Sequence, residues 1–109
     1  MIAYDSDRNV TVLYGGIGGG AQFLDTWEWD GTSGSWTDRT PASAPSPDQF
    51  PHSMTYDSAR QRVVLVTGPG DQIWEWDGLT GEWTERRSRS SDPSPTGFYG
   101  EIAYDSVRE

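Results

Sequence analysis

Trp27-Glu28-Trp29-Asp30-Gly31 returns 47 residues later as Trp74-Glu75-Trp76-Asp77-Gly78, and each copy is followed by a further tryptophan, Trp36 or Trp83. No other feature limits the fold as tightly. A second marker, Tyr4-Asp5-Ser6-Asp7-Arg8, recurs as Tyr56-Asp57-Ser58-Ala59-Arg60 and as Tyr104-Asp105-Ser106-Val107-Arg108, so the chain holds two units and the opening of a third. Self-similarity at roughly 40 to 50 residues signals a repeat architecture in which one unit cannot bury its apolar face without neighbours. Although 109 residues are the size of one ordinary domain, the chain is therefore expected to be incomplete by itself.

Within the first unit, Ile2-Ala3-Tyr4 stops at Asp5-Ser6-Asp7-Arg8-Asn9. Val10-Thr11-Val12-Leu13-Tyr14 then resumes with β-branched and aromatic residues up to Gly15-Gly16, which reads as a hairpin. In its turn Asp5 is expected to accept hydrogen bonds from backbone N–H groups one or two residues ahead, with Asp57 and Asp105 in the same role. Asp25-Thr26-Trp27-Glu28-Trp29 alternates so that both tryptophans share one face and Glu28 takes the other. Asp30-Gly31 turns the chain into a last strand about Trp36.

The second unit repeats this order with Ser53-Met54-Thr55-Tyr56, Arg62-Val63-Val64-Leu65-Val66, Gln72-Ile73-Trp74-Glu75-Trp76 and Glu82-Trp83-Thr84. The reading is all-β, four antiparallel strands per unit, without helical periodicity. The units span 1–40 and 53–86. Linkers 41–52 and 87–100 join them, their prolines holding an extended backbone, and 101–109 is the first strand of a further unit. Between Tyr4 and Trp27 lie 23 positions but between Tyr56 and Trp74 only 18. The excess falls in Ile17-Gly18-Gly19-Gly20-Ala21, which reads as one enlarged flexible loop.

Composition narrows the partners. Apolar residues make up a third of the chain, yet there are six Trp, five Tyr and three Phe, so burial rests on aromatic rings. The net charge of −9 repels phosphate backbones and anionic membrane surfaces, which argues against nucleic acid and membrane as partners. Arg86, Arg87 and Arg89 read as a solvated loop in a Ser-rich connection. Cysteine is absent, so there is no thiolate metal site or cysteine nucleophile, and the redox compartment stays open. No apolar stretch approaches a membrane span. Met1-Ile2-Ala3-Tyr4 opens on a repeat rather than on a leader, which fits either a cytoplasmic chain or a removed leader.

Gly15-Gly16 at the end of a hydrophobic strand, followed by Trp29 and Trp36 with six residues between them, resembles the Kelch repeat. In the second unit Trp76 and Trp83 keep that spacing, while the diglycine becomes Thr67-Gly68, so the backbone there is more restricted or the bend less sharp. The resemblance covers nearly the whole chain. It implies a β-propeller whose blades are twisted four-stranded sheets, the first strand nearest the central channel and the fourth outermost. Such propellers have about five to eight blades, so two blades imply others: a longer chain, or a ring of identical chains, a homotrimer being favoured and a homotetramer the next choice. Residues 2–8 and 101–108 are then both equivalents of the innermost strand. In a ring, the terminal strand of one chain is expected to pair with the next chain's first blade in place of residues 2–8.

The candidate site residues follow from what repeats and what does not. A core contact recurs in every unit. Trp27, Trp29, Trp36, Trp74, Trp76 and Trp83, with Tyr4, Tyr56, Tyr104, Gly15 and Gly16, therefore read as structural. Arg8, Arg60 and Arg108 share a turn position and read as solvated. Glu28 and Glu75 are repeat equivalents, which excludes them as an asymmetric acid and base pair. Asp25, Asp30, Asp71 and Asp77 lack the alternate-acid spacing of a calcium loop and read as turn stabilisers.

The copper radical sugar oxidases among Kelch-like enzymes need a Cys-linked Tyr and paired His ligands, which this chain lacks. The glycine run leads into another strand, so it is no phosphate cradle. No catalytic residue, cofactor or metal is expected. Binding positions are placed in loops, at Ile17, Gly18, Gly19, Gln22 and Phe23, and at Asp48, Gln49, Phe50 and His52, the last group at the channel mouth. The expected function is a non-catalytic scaffold or binding module for protein or carbohydrate. The alternative is a fragment of a larger secreted Kelch-type enzyme or carbohydrate-binding protein.

Overall fold

A computed structural model describes residues 1–45, 50–68, 72–87 and 102–108, with 50–52 described by backbone alone. β1 (Ile2–Asp5), β2 (Val10–Gly18), β3 (Ala21–Asp30) and β4 (Ser35–Asp38) follow one another across sheet I. β5 (Phe50–Asp57), β6 (Arg62–Gly68), β7 (Gln72–Asp77) and β8 (Glu82–Arg87) do the same across sheet II. Every neighbouring pair is antiparallel. The molecule is all-β, and among the described residues no helix is long and apolar enough to cross a membrane.

The repeated aspartates do tie the turns, but with reaches of two and three residues rather than the expected one or two. Asp5 Oδ1 accepts from Asp7 N and Arg8 N, both at 3.1 Å, and Asp57 Oδ1 accepts from Arg60 N at 3.1 Å. In the last hairpin of each sheet, Asp30 accepts from Thr32 N at 2.8 Å and Asp77 from Leu79 N at 2.9 Å. Gly34 and Gly81 close these turns in the left-handed region, φ 71° and 73°. Asp25 does something else: it takes the Trp27 indole Nε1–H at 2.5 Å.

Register assigns the faces. Tyr4 pairs with Thr11, Leu13 with Trp27, and Trp29 with both Thr11 and Trp36, so these side chains stand on one face of sheet I. Val12 and Glu28 pair on the other. Sheet II repeats this with Val63 opposite Trp76, Leu65 opposite Trp74 and Trp76 opposite Trp83. The sheets stack so that the tryptophan face of sheet II lies on the Glu28 face of sheet I. The core consists of Ala3, Val12 and Tyr14 from sheet I with Met54, Val63, Leu65, Trp74, Trp76 and Trp83 from sheet II. Tyr14 and Trp83 meet edge to face at 5.2 Å, the Trp83 Nε1–H donates to Thr26 Oγ1 at 2.9 Å, and the Tyr14 hydroxyl donates to Pro45 O at 3.2 Å. Each buried aromatic removes about 150–250 Å² from water at about 25 cal/mol per Å², so the core rests mainly on these rings.

The glycine-rich stretch corrects the sequence reading. It is no flexible loop: β2 and β3 themselves continue, Gly16 pairing with Phe23, Ile17 with Gln22 and Gly18 with Ala21. Only Gly19 and Gly20 are left as the turn, at φ 59° and 79°. Two consecutive positive φ values are what a two-residue hairpin turn needs to match strand twist, and glycine adopts them without strain. Gly15 and Gly16, φ 65° and 142°, bend β2 at a register shift between Tyr14 and Gly16. Thr67 instead pairs regularly with Gln72 and has no positive φ, so the bend is confined to sheet I, in line with the lost diglycine.

β5 begins at Phe50, three residues before the expected start, with a register shift between Pro51 and Ser53. Residues 102–105 form no strand. They lie against sheet II, where Ile102 N donates to Ser53 Oγ at 2.8 Å and Ala59 N donates to the Tyr104 hydroxyl at 3.2 Å.

Candidate functional site

Two surfaces bear on function: the joint between the sheets and the faces left open on either side. At the joint, Arg8 leaves its turn and inserts between two carboxylates. Its Nε donates to Asp5 Oδ2 at 2.8 Å, and its terminal nitrogens grip both oxygens of Glu28 at 2.6 and 3.2 Å. Arg39 adds a third donor to Glu28 at 2.8 Å, reaches across to Gly78 O at 2.9 Å and stacks 5.7 Å from the Trp76 ring. A Cβ at position 78 would collide with the Arg8 guanidinium, so the glycine of the second Trp-Glu-Trp-Asp-Gly copy is the seat of an arginine from the first unit. Reading Arg8 as solvated misses this, because the partner Glu28 is brought in by strand pairing and not by proximity in sequence.

The same network recurs one unit on. Arg60 Nε donates to Asp57 Oδ2 at 2.7 Å, Arg60 Nη2 lies 2.6 Å from Glu75 Oε1, and Arg86 Nε lies 3.5 Å from Glu75 Oε2. Arg86 and Arg87 thus belong to the end of β8 rather than to a solvated loop, and Arg89 lies outside the described residues. No sheet covers these cations: Arg60 is 52% exposed against 21% for Arg8. Arg60 and Arg108 fit the solvated reading, at 52% and 87% exposed, and Arg8 does not.

Burial alone would raise the carboxyl of Asp5, but the hydrogen bonds and charge of Arg8 outweigh it and hold the group below its ordinary value. Desolvation works against the Arg8 charge, and its two carboxylate partners raise its pKa regardless. Asp57 follows the same pattern with Arg60. These groups stay charged near neutrality and act as fixed electrostatic fasteners, not as proton carriers. Beside them, a cleft of about 270 Å³ is lined by Asp7, Tyr56 and Leu79 among others. There the Tyr56 hydroxyl, whose pKa is pushed up by burial and then by the neighbouring carboxylates, donates to Asp7 Oδ2 at 2.5 Å.

The open face of sheet I carries Ile2, Tyr4, Phe23 and Trp36 as exposed large apolar groups. Trp29 and Trp36 rest on each other at 5.2 Å. Leu13, Gly15, Phe23, Asp25, Trp27 and Trp36 line a shallow concavity of about 500 Å³ with one carboxylate at its rim. The open face of sheet II carries Asp57 and Glu75 with their arginines, and the terminal segment covers part of it.

Of the sequence-predicted binding positions, Ile17, Gly18, Gln22 and Phe23 lie on the extended hairpin and Gly19 in its turn. Ile17 is 81% exposed, and the Phe23 ring lies over Gly18. Only Phe23 joins the concavity. Phe50 and His52 lie on β5 with side chains outside the description, and Asp48 and Gln49 lie outside the described residues, as does Asp71. Sequence reasoning missed Arg39 and read Arg86 as a solvated loop residue. Their signal was the same spacing of 47 that relates the tryptophans.

No protein-family model matches the chain, and a search of curated proteins finds none similar to it.

Proposed function

We propose that the chain is a non-catalytic scaffold or binding module of Kelch type, its two sheets being consecutive blades of a β-propeller. Its immediate partners are then further blades from identical chains, three chains giving six blades and four giving eight. One observation carries this reading: the sheets stack head to tail, tryptophan face on glutamate face, so one face of each kind is left unpaired on opposite sides of the molecule. A contact between unlike faces repeats from copy to copy, and it closes into a ring when the rotation per blade divides a full turn.

The repeat supplies the contacts of that closure. Arg86 stands where Arg39 stands and would reach Gly31 O and the Trp29 ring of the next copy. Arg60 would sit on Gly31 as Arg8 sits on Gly78. Trp36 would pack on Val66 and Ile73, which replace Tyr14 and Thr26. The basic side chains over Glu75 thus meet an aromatic face, as their counterparts do inside the chain. The tripeptide around Ile73 offers no hydroxyl to Trp36, so this joint is more apolar than the internal one.

The second reading, in which the following blades belong to the same polypeptide of a secreted Kelch-type enzyme or carbohydrate-binding protein, is favoured by the residues 102–108 lying on sheet II as the opening of another unit. The aromatic concavity of sheet I would in that case be covered by a blade or serve a sugar. Light scattering after size exclusion decides between them, with 12.1 kDa as the unit. A particle of three or four chains, reduced to single chains by Trp36→Asp, is expected; a single-chain particle overturns self-assembly.

A further inference from the structure

We propose that, at the joint between copies, residues 102–105 of one chain replace β1 in sheet I of the next, so that neighbouring chains are tied by an exchanged strand. This rests on the self-assembly reading above.

The first observation is identity. Ile102-Ala103-Tyr104-Asp105-Ser106-Val107-Arg108 repeats Ile2-Ala3-Tyr4-Asp5-Ser6-Asp7-Arg8 with one change, Val107 for Asp7. The internal counterpart Met54-Thr55-Tyr56-Asp57-Ser58-Ala59-Arg60 keeps neither the isoleucine nor the alanine. The terminal segment is therefore a copy of β1 in particular. It offers β2 the same side chains that β1 pairs with Leu13, Val12, Thr11 and Val10.

The second is a preformed end. Asp105 Oδ1 accepts from Val107 N at 3.0 Å and Arg108 N at 3.1 Å, and Arg108 Nε donates to Asp105 Oδ2 at 2.7 Å. This is the turn that Asp5 and Arg8 make at the end of β1. It exists here unpaired with any strand among the described residues, and its guanidinium is solvent-facing where that of Arg8 holds Glu28.

The third is position. The Tyr56 hydroxyl of sheet II engages the first turn of sheet I at Asp7, and the Tyr104 hydroxyl engages the equivalent turn of sheet II at Ala59. The terminal segment thus rests on sheet II as β5 rests on sheet I, in the place a following sheet's first strand must take. A second copy docking there brings its own β1 to an occupied seat, and one of two equivalent strands has to leave. β1 is a four-residue edge strand. The terminal segment offers the same pairing and is tethered to the surface being docked, which raises its effective concentration. Exchanging one element for a near-identical one costs little in contacts beyond the Tyr56 to Asp7 hydrogen bond, for which Val107 offers no acceptor.

The chain has no cysteine, so introduced pairs report without background. Full-length I102C and L13C chains, unfolded, mixed, refolded together and mildly oxidised, are expected to give disulfide-linked dimers on a non-reducing gel, because exchange sets these positions directly across a strand pair. The double variant I2C/L13C is expected to link poorly within its own chain. A multi-chain particle in which I2C/L13C links fully and the I102C and L13C mixture gives no dimer overturns exchange and leaves assembly standing. A single-chain mass overturns both.

A second readout needs no cysteine. Arg108→Ala is expected to weaken assembly about tenfold or more by leaving Glu28 short of a partner, while Arg8→Ala, which removes the Glu28 contact from separated chains alone, leaves assembly as tight as before or tighter. The reverse pattern sinks the exchange.

Discussion

Sheets I and II carry the same Trp-Glu-Trp-Asp-Gly strand in the same register, yet their tryptophans end in opposite environments. Trp76 and Trp83 are 0% and 5% exposed, whereas Trp36, the counterpart of Trp83, is 52% exposed. The ionic faces invert this order: the arginines on Glu28 are covered by sheet II, and those on Glu75 face solvent apart from the terminal segment. One pattern therefore has two outcomes, set by which side of a sheet has a neighbour. Equivalent positions are a measuring device, because where residue and register match between the sheets, the neighbour is what differs.

Truncating the tryptophans breaks the comparison most strongly. Trp83→Ala removes a buried ring and its hydrogen bond to Thr26, and a loss of about 3–5 kcal/mol in urea unfolding is expected. Trp36→Ala in single chains is expected to cost about 1 kcal/mol or less. If the loss at Trp36 rises toward that at Trp83 as protein concentration increases, its face is covered by another copy.

Removing charge comes next. Glu28→Gln leaves Arg8 and Arg39 facing a neutral amide in a covered joint, and about 3 kcal/mol is expected. Glu75→Gln, whose arginines are exposed, is expected to cost about 1 kcal/mol or less by the same chemical unfolding. Equal losses would show that the second sheet adds nothing to the network.

The glycines sharpen the same contrast at smaller scale. Gly78→Ala pushes on the Arg8 guanidinium and is expected to cost about 1–3 kcal/mol. At Gly31 an added methyl makes only ordinary contact with the Trp29 ring nitrogen at 3.6 Å, so the thermal midpoint of single chains is expected to hold. In the proposed ring Gly31 would be the seat of Arg60, and Gly31→Ala is then expected to lower the mass seen by light scattering.

The smallest effect is that of acid. The folded value of Asp5 lies below its ordinary 3.8, so its stabilisation is fully present above about pH 4 and is lost as pH falls through the held-down value. Urea midpoints measured downward from pH 5 are expected to drop for the native chain and to drop less for Asp5→Asn. An unchanged acid slope would mean that Arg8 gives the Asp5 carboxylate no preference for its charged form.

Most of the strand plan was legible because its causes are local. Alternation in Asp25-Thr26-Trp27-Glu28-Trp29 sets the faces, Asp5 and Asp57 tie their own turns within three residues, and Gly15-Gly16 supplies the positive φ angles that Thr67 cannot. The Gly18 to Ala21 region misled because a glycine-rich run serves a loose loop and a tight hairpin equally well. The register of Gly16 with Phe23 and Ile17 with Gln22 is what separates them. The site was less readable still. Arg8 and Glu28 lie twenty residues apart and meet only when β1, β2 and β3 pair, and Gly78 receives that arginine only when the two sheets stack.

By itself the sequence determined two four-stranded units, their turn chemistry and the equivalence of their positions, since these follow from hydrogen bonds and periodicity within short stretches. Only the tertiary structure decided which tryptophan face is buried, which arginines become fasteners and where the terminal repeat of β1 comes to rest. Burial and desolvation belong to pairs of surfaces, and a repeat presents every surface twice without stating which pair meets.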